Sequence, residues 1–451
     1  MKSINVFEVF KNVIGSNLNI IEYTTVSIDS RKVTDNGIFL ALKGEHTDGN
    51  LYIEDAFKNG FKYCVTTSKE QYEKFDGKNI ILVEDGLIAL KNLARWNIEN
   101  YKGEKIVITG SVGKTSTKAL ATNILKQKYK VYEAFKNFNN ELGISIVASN
   151  IDLTSEIAIF EIGTNNPGEI EYLGNMLKPD IGIITNIGHA HIGRFGSYEN
   201  LKKEKLSLAN AIINGGTLWL NDEISIDNDL QANIKLKRFG VKNSSDVVLK
   251  ELNRSKDSLD FVVEIKNSNF ARYSFMLKHP YDHFVYNLLP LIGIAFEHDL
   301  NYEEIFRGIL EFSPVDGRGN ILYINGITVI DDTYNAGYEA VISSIKNLKN
   351  IESDEKIAIM GEMAEIEGYE KILYNNLKNI VSQETEIRFI LCGKNYKQFD
   401  GLNNCIVFED KETLMKNIKI KKGAIYLVKA SRGKKFEDIV NKIQEEAKLV
   451  I

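Results

Sequence analysis

Along most of this chain, short runs of β-branched and aliphatic residues alternate with stretches whose apolar positions recur about every three or four residues. Ile106-Val107-Ile108 reads as a buried strand. It breaks at Gly110, passes Gly113 and gives way to a helical pattern from Lys118-Ala119-Leu120 to Ile124-Leu125. Further apolar runs predict strands at 38–42, 63–66, 129–132, 156–162, 180–186 and 217–220, with helices at 53–59, 167–176, 200–211 and 285–296. A helix and a run of alternating strands are expected between 220 and 280. The N-terminal MKSINVFEVFKNVIG carries a helical apolar pattern. After the break Phe312-Ser313-Pro314-Val315-Asp316-Gly317-Arg318-Gly319, which reads as a hinge, strands are predicted again at 327–331, 356–360, 387–392 and 424–428. Strands alternating with helices give an α/β class with largely parallel sheets.

At 451 residues the chain is too long for one core. The pattern divides it into units at 1–98, 99–314 and 315–451. Apolar content of 43% and charged content of 26% are those of a globular protein, and a net charge of −5 gives no general reason to bind nucleic acid or an anionic membrane. Any polyphosphate needs a local cationic site. No apolar run approaches the ~20 residues of a membrane span, and the N-terminus has no signal-peptide pattern. Cys64, Cys392 and Cys405 follow no metal spacing and read as reduced thiols, so a cytoplasmic location is expected.

The candidate chemistry starts at Gly110-Ser111-Val112-Gly113-Lys114-Thr115-Ser116. A strand, a glycine turn and a helix start present backbone N–H groups and the helix dipole to an anion. Lys114 would reach β/γ-phosphates and the Thr115 hydroxyl would ligate Mg²⁺. Ile108 occupies the place of the standard motif's first glycine. Glu161 closes the strand at 156–162, where an acid beside a nucleotide holds Mg²⁺. His189 and His191 follow the strand at 180–186; His191 is a candidate metal ligand, and a hydrogen-bonded strand-end histidine is the plainer alternative. Lys202, Lys203 and Lys205 lie on one helix, a pattern that by itself reads as a solvated face. Asn139, Asn140 and Glu141 either bind substrate amides or cap the following helix. Ser27, Ser30 and Arg31 sit beside a strand edge that could hold an anionic or uracil-like group; composition favours a solvated hairpin. In the third unit, Asp331-Asp332-Thr333-Tyr334-Asn335, Gly361-Glu362-Met363 and Lys429-Ala430-Ser431-Arg432 each follow a strand, at the edge where such sheets bind ligands.

With those residues in order, the chain resembles the Mur ligase family over essentially its whole length. The resemblance rests on Ser27-Ile28-Asp29-Ser30-Arg31, Phe39-Leu40-Ala41-Leu42-Lys43-Gly44, the phosphate loop, Phe138-Asn139-Asn140-Glu141-Leu142-Gly143, Glu161-Ile162-Gly163, Thr185-Asn186-Ile187-Gly188-His189-Ala190-His191 and Asp331-Asp332-Thr333-Tyr334-Asn335-Ala336. It implies three domains: a small α/β N-terminal UDP-substrate domain, a central phosphate-loop ATPase-type domain and a C-terminal Rossmann-like domain. It implies an ATP-dependent amide ligase, forming ADP through an acyl phosphate, that joins D-Ala-D-Ala to a UDP-MurNAc-tripeptide for peptidoglycan. The alternative is a Mur-type ligase with another acceptor or nucleotide-linked donor. A non-catalytic nucleotide-binding member is disfavoured by the joint presence of Lys114, Thr115, Glu161, His191 and Lys205.

The resemblance also assigns roles. Two Mg²⁺ sites are expected, one on Thr115 and Glu161, the other on His191 and Lys205, the latter as a carbamate. Asn287, Arg318, Asp332 and Tyr334 join the loop in holding the nucleotide; Ser30, Arg31, Lys43, Asn139, Asn140, Glu141, Asn335, Lys429 and Ser431 are the substrate candidates. A monomer is implied. Two departures stand out. Phe284 follows His283 where the family has Asn, which implies an altered base contact, and Gly337-Tyr338 replaces Asn-Pro, which implies altered backbone freedom.

Overall fold

The run Ile106-Val107-Ile108, read as a buried strand, pairs on both sides. In the computed structural model, Glu104–Thr109 lies between Ile157–Glu161 and Ile181–Ile184, parallel to both. Residues 1–32, 34–135, 138–226, 233–266 and 271–449 are described here. Val33, the Lys136-Asn137 start of the asparagine loop, and parts of the 220–280 region therefore lie outside the description. Parallel strands buried on both faces need continuous apolar runs rather than alternation, and Ile106, Val107, Ile108, Ile159, Phe160, Ile183 and Ile184 are all fully buried. Among the described residues this sheet has nine strands, extended at one edge by an antiparallel run, Val247–Arg254, Leu259–Ile265 and Ala271–Leu277. Phe160 lies at its heart. Phe160→Ala is expected to cost about 3–5 kcal/mol, read as a fall in the urea midpoint.

Among the described residues the N-terminal region forms a five-stranded sheet with Phe61–Thr66 at its centre, and the C-terminal region a six-stranded sheet with Ile425–Lys429 and Lys356–Gly361 inside it. The helix Gly86–Asn100, capped by the Asp85 side chain, leads through Tyr101 into the central sheet. One apolar core is continuous from Ile106 and Ile183 through Leu288 and Phe312 to Ile330 and Met360, so the third domain is packed against the second.

Several expectations are corrected. The N-terminal helix is confined to Val6–Phe10; Lys2–Asn5 is a strand paired with Ile20–Tyr23, and Val13–Ser16 is another strand. The spacing of Ile4, Val6, Val9 and Phe10 suits a helix, but strand pairing buries Ile4 against Ile21 instead. The helix expected at 200–211 is two, Tyr198–Leu206 and Leu208–Ala211, with Ser207 between them. No helix lies between Asn221 and Lys235 among the described residues. Gly337 has φ −66° and caps the helix Tyr338–Asn350, so it uses no conformation special to glycine. Tyr338 is that helix's first residue, where proline is favoured because the N–H is unused; the replacement leaves the backbone path available to either residue. Among the described residues, no helix is long and apolar enough to cross a membrane.

Candidate active site

The strand ends of the second and third domains face each other across a cavity of about 1090 Å³. The phosphate loop forms its floor. Gly110 has φ +151° and Gly113 φ +85°, and a Cβ on Gly113 would lie 2.8 Å from Asn287 Oδ1, so this turn needs glycine twice. The loop is held from the neighbouring strand end: Asn186 Oδ1 accepts from the Val112 N–H at 3.0 Å, and its main-chain carbonyl accepts from the Ser111 N–H at 3.1 Å. The helix Lys114–Leu125 starts there, with the free N–H groups of its first turn turned to the cavity floor.

Lys114 Nζ donates to its own loop, to the Gly110 carbonyl at 2.9 Å and the Ser111 carbonyl at 3.3 Å. Burial lowers its pKa, against the opposing pull of Glu161. The Thr115 hydroxyl donates to Glu161 Oε2 at 2.7 Å, and Asn139 Nδ2 to Glu161 Oε1 at 3.2 Å. Beyond them stand His191 and Lys205. His191 adopts a left-handed backbone, φ +64°, and its Nε2 is 3.4 Å from Glu365 Oε2. Burial pushes the imidazole pKa down. Lys205, in the last turn of its helix, is 2% exposed, with no side-chain hydrogen bond and no carboxylate in ion-pair reach among the described residues. Burial, then the nearby Lys114 charge, brings its amine down to about 7.

The third domain supplies the opposite wall. The Arg318 guanidinium stacks on the Tyr334 ring at 4.0 Å, and its Nε is buried without a partner among the described residues. Asp332 and Lys429 are register partners on adjacent strands, so Lys429 Nζ reaches Asp332 Oδ2 at 2.7 Å and the Asn335 carbonyl at 3.0 Å. The Ser344 hydroxyl donates to the same Asp332 oxygen at 2.6 Å. Asn287 is buried with its Nδ2 unpartnered on the cavity wall. Phe284 turns away into the core against His279, His283 and Phe312.

The cavity thus gathers Lys114, Glu161, His191, Lys205, the whole loop 110–116, Asn139, Asn140, Asn287, Arg318, Asp332, Tyr334, Asn335 and Lys429. Five expected residues lie outside it. Ser30 is buried in the first domain; Arg31 is exposed and paired with Asp29; Lys43 is exposed on a hairpin. Glu141 pairs with Lys91 at 2.5 Å, and Ser431 precedes a short 3₁₀ turn. Asn140 caps the helix Glu141–Ser149 through the Gly143 N–H, besides lining the cavity. Sequence reasoning missed Asn186, Lys118, Glu339 and Glu365. Lys118 is buried beneath the loop, with its Nζ on the Ala134 carbonyl. A Thr-Asn pair closing the strand before the histidines was the available signal for Asn186.

The donor set suits a divalent cation that arrives with phosphates. No group of three or more His, Cys, Asp or Glu gathers among the described residues. The paired oxygens of Thr115 and Glu161 match Mg²⁺, which keeps waters and takes one or two protein ligands plus substrate phosphates.

Three α/β domains, a phosphate loop on an interior strand of the middle sheet and a third sheet folded over it define a nucleotide-driven ligase. The family described as Mur ligase middle domain matches residues 108–295, and that described as Mur ligase family, catalytic domain, matches 22–99. A UDP-N-acetylmuramoyl-tripeptide–D-alanyl-D-alanine ligase of Rickettsia prowazekii is 31% identical over 442 residues, covering 94% of this chain and 96% of that one. Its counterpart in Bacillus subtilis is 28% identical, covering 93% of each. The crystal structure of MurF from Acinetobacter baumannii superposes with a TM-score of 0.84 at 22% identity, covering 98% of both chains. That of MurF from Thermotoga maritima in complex with ADP gives 0.82 at 25% identity, covering 95% of this chain and 98% of that one. The chain belongs to the Mur ligase family.

Proposed function

We propose that this ligase adds D-Ala-D-Ala to UDP-MurNAc-tripeptide in peptidoglycan precursor synthesis, using ATP and two Mg²⁺ ions. The observation that carries the reading is the single cavity in which Lys114, Glu161, His191 and Lys205 meet Arg318, Asp332 and Lys429. The relatives bearing that activity in their names match nearly the whole chain. Residues 1–98 take the UDP-sugar at Ser30, Arg31 and Lys43, 99–314 hold ATP, and 315–451 close over it and bring the acceptor.

In the first step a substrate carboxylate attacks the γ-phosphorus of ATP, the bond from that phosphorus to the β,γ-bridging oxygen breaks and ADP leaves, giving an acyl phosphate; two anions must approach for this. Lys114 leaves its loop carbonyls for the phosphates, and Arg318 adds a second cation from the facing domain. Thr115 and Glu161, and His191 with a carbamylated Lys205, would hold Mg²⁺, which when bound would supply further charge neutralisation. Asp332, fixed by Lys429 and Ser344, keeps one oxygen for the ribose hydroxyls. The acceptor amine then attacks the acyl carbon of the acyl phosphate and phosphate leaves with its oxygen. The amine's protons pass to phosphate and water. Closure of the third domain shields the acyl phosphate from hydrolysis. Such an enzyme works as a cytoplasmic monomer.

A second reading, an altered acceptor, is favoured by Tyr338, whose ring lies on the cavity wall edge-on to His189 at 5.8 Å. Both readings meet one experiment: phosphate release from ATP with UDP-MurNAc-tripeptide and D-Ala-D-Ala or single amino acids, with mass spectrometry of the product. Turnover that requires D-Ala-D-Ala and Mg²⁺, and stops on chelation, is expected. Turnover with a different acceptor alone moves the assignment to the second reading.

A further inference from the structure

The segment that carries His191 belongs to the second domain, yet it is gripped from the third. Glu339 Oε1 accepts from the His189 N–H at 2.6 Å and lies 2.5 Å from His189 Nδ1. The Glu365 carbonyl accepts from the His191 N–H at 2.8 Å. Tyr369 donates its hydroxyl to the Gly196 carbonyl at 3.0 Å. The approach is close enough that a Cβ on Gly188 would lie 2.4 Å from the Glu339 side chain, and one on Gly193 1.8 Å from the Glu367 carbonyl oxygen. His191 itself stands on no regular element. It precedes the one-turn helix Ile192–Phe195 and holds a left-handed backbone, which a non-glycine residue keeps only when its surroundings impose it. Glu365, which faces it, is left-handed as well, at φ +63°.

From this geometry we infer that Glu339 is a positioning residue. From the rigid start of the helix Tyr338–Asn350 it fixes the 188–191 turn, so that the His191 imidazole is aimed into the site only when the third domain is docked. Docking and completion of the second cation position are then one event. The inference rests on the reading of His191 as a Mg²⁺ ligand. Only one carboxylate oxygen of Glu339 makes the grip; Oε2 is buried without a partner. A glutamine keeps the gripping oxygen, whereas an alanine removes it.

The test uses the full-length protein with Mn²⁺, a non-hydrolysable ATP analogue and UDP-MurNAc-tripeptide. Bound Mn²⁺ is counted by electron paramagnetic resonance, and amide hydrogen exchange is followed across 188–196. Glu339→Ala is expected to weaken the second Mn²⁺ by about 10–100-fold, as loss of an outer-shell partner does, while the first Mn²⁺ stays within about twofold. Exchange at 188–191 should accelerate. Glu339→Gln should restore both readouts, and Tyr369→Phe should move them the same way by less. Unchanged exchange and unchanged Mn²⁺ in Glu339→Ala overturn the inference, as does loss of both metals together, which would make Glu339 a general support of the fold. A wild-type protein that binds one Mn²⁺ removes the metal reading of His191, and the exchange comparison then decides the grip by itself.

Discussion

Lys114→Ala is expected to lower kcat by about 10²–10³-fold, the scale of losing one preorganised group that stabilises transition-state charge. The structure explains why so much rests on one amine. Lys114 is already placed at the mouth of the loop by two carbonyls of that loop, Gly110 and Ser111, so it needs only to exchange those acceptors for phosphate oxygens. Neither contact ties it to another element. Its removal should therefore not lower the unfolding temperature, and relief of the desolvated charge should raise it if anything, which separates lost chemistry from lost structure. Lys114→Arg should rescue poorly, because a planar fork cannot replace a compact ammonium between those two carbonyls. Phosphate release under saturating substrates is the measurement; a variant within a few-fold of the wild type would take Lys114 out of the mechanism.

What could be read in the sequence divides along the range of the interactions. The phosphate loop was legible because its parts are contiguous: strand, two glycines, Lys114 and Thr115 lie within one turn of chain. Glu161 and His191 were legible as strand ends, since parallel sheets collect ligands at one edge. The different holds on His189 and His191 were not, because they come from Glu339 and Glu365, about 150 and 174 residues away in the chain. Lys205 looked like its neighbour Lys203 by spacing. Only the packing of Tyr198–Leu206 buries Lys205 and leaves Lys203 in water. The Gly337-Tyr338 departure is conspicuous in sequence, yet Gly337 adopts a conformation open to any residue and Tyr338 takes the first helical position, which tolerates proline and tyrosine alike. The N-terminal strand Lys2–Asn5 was hidden for the same reason that Lys205 was. Its partner, Ile20–Tyr23, decides its conformation, and local spacing does not record that.

The second large effect is expected at Lys205, and pH reveals it. An amine buried to 2% exposure, with no carboxylate within ion-pair distance among the described residues, pays desolvation in its charged form beyond what the more distant Glu204 and Glu365 return, and its pKa falls from 10.5 to about 7. Between those values the unfolded chain binds the extra proton, so this residue makes stability rise with pH from about 7 towards 10.5. Below about 7 both states are protonated and the folded protein carries the full penalty, worth a few kcal/mol. Lys205→Met should therefore raise the unfolding temperature at pH 6, and the gain should shrink by pH 9. Activity should move the opposite way. If the neutral amine, which predominates above pH 7, adds to CO₂ and releases a proton to water, the resulting carbamate would place an anionic oxygen donor beside His191. Lys205→Met should then lose about 10²-fold or more in kcat while gaining stability. Wild-type activity should fall in CO₂-depleted buffer and return with bicarbonate, and a ¹³C carbamate resonance should appear in wild type and be absent in Lys205→Met. Were the methionine variant both less stable at pH 6 and fully active, Lys205 would be an ordinary packing residue. A more stable and inactive variant is the outcome that a buried amine held in place for its chemistry requires.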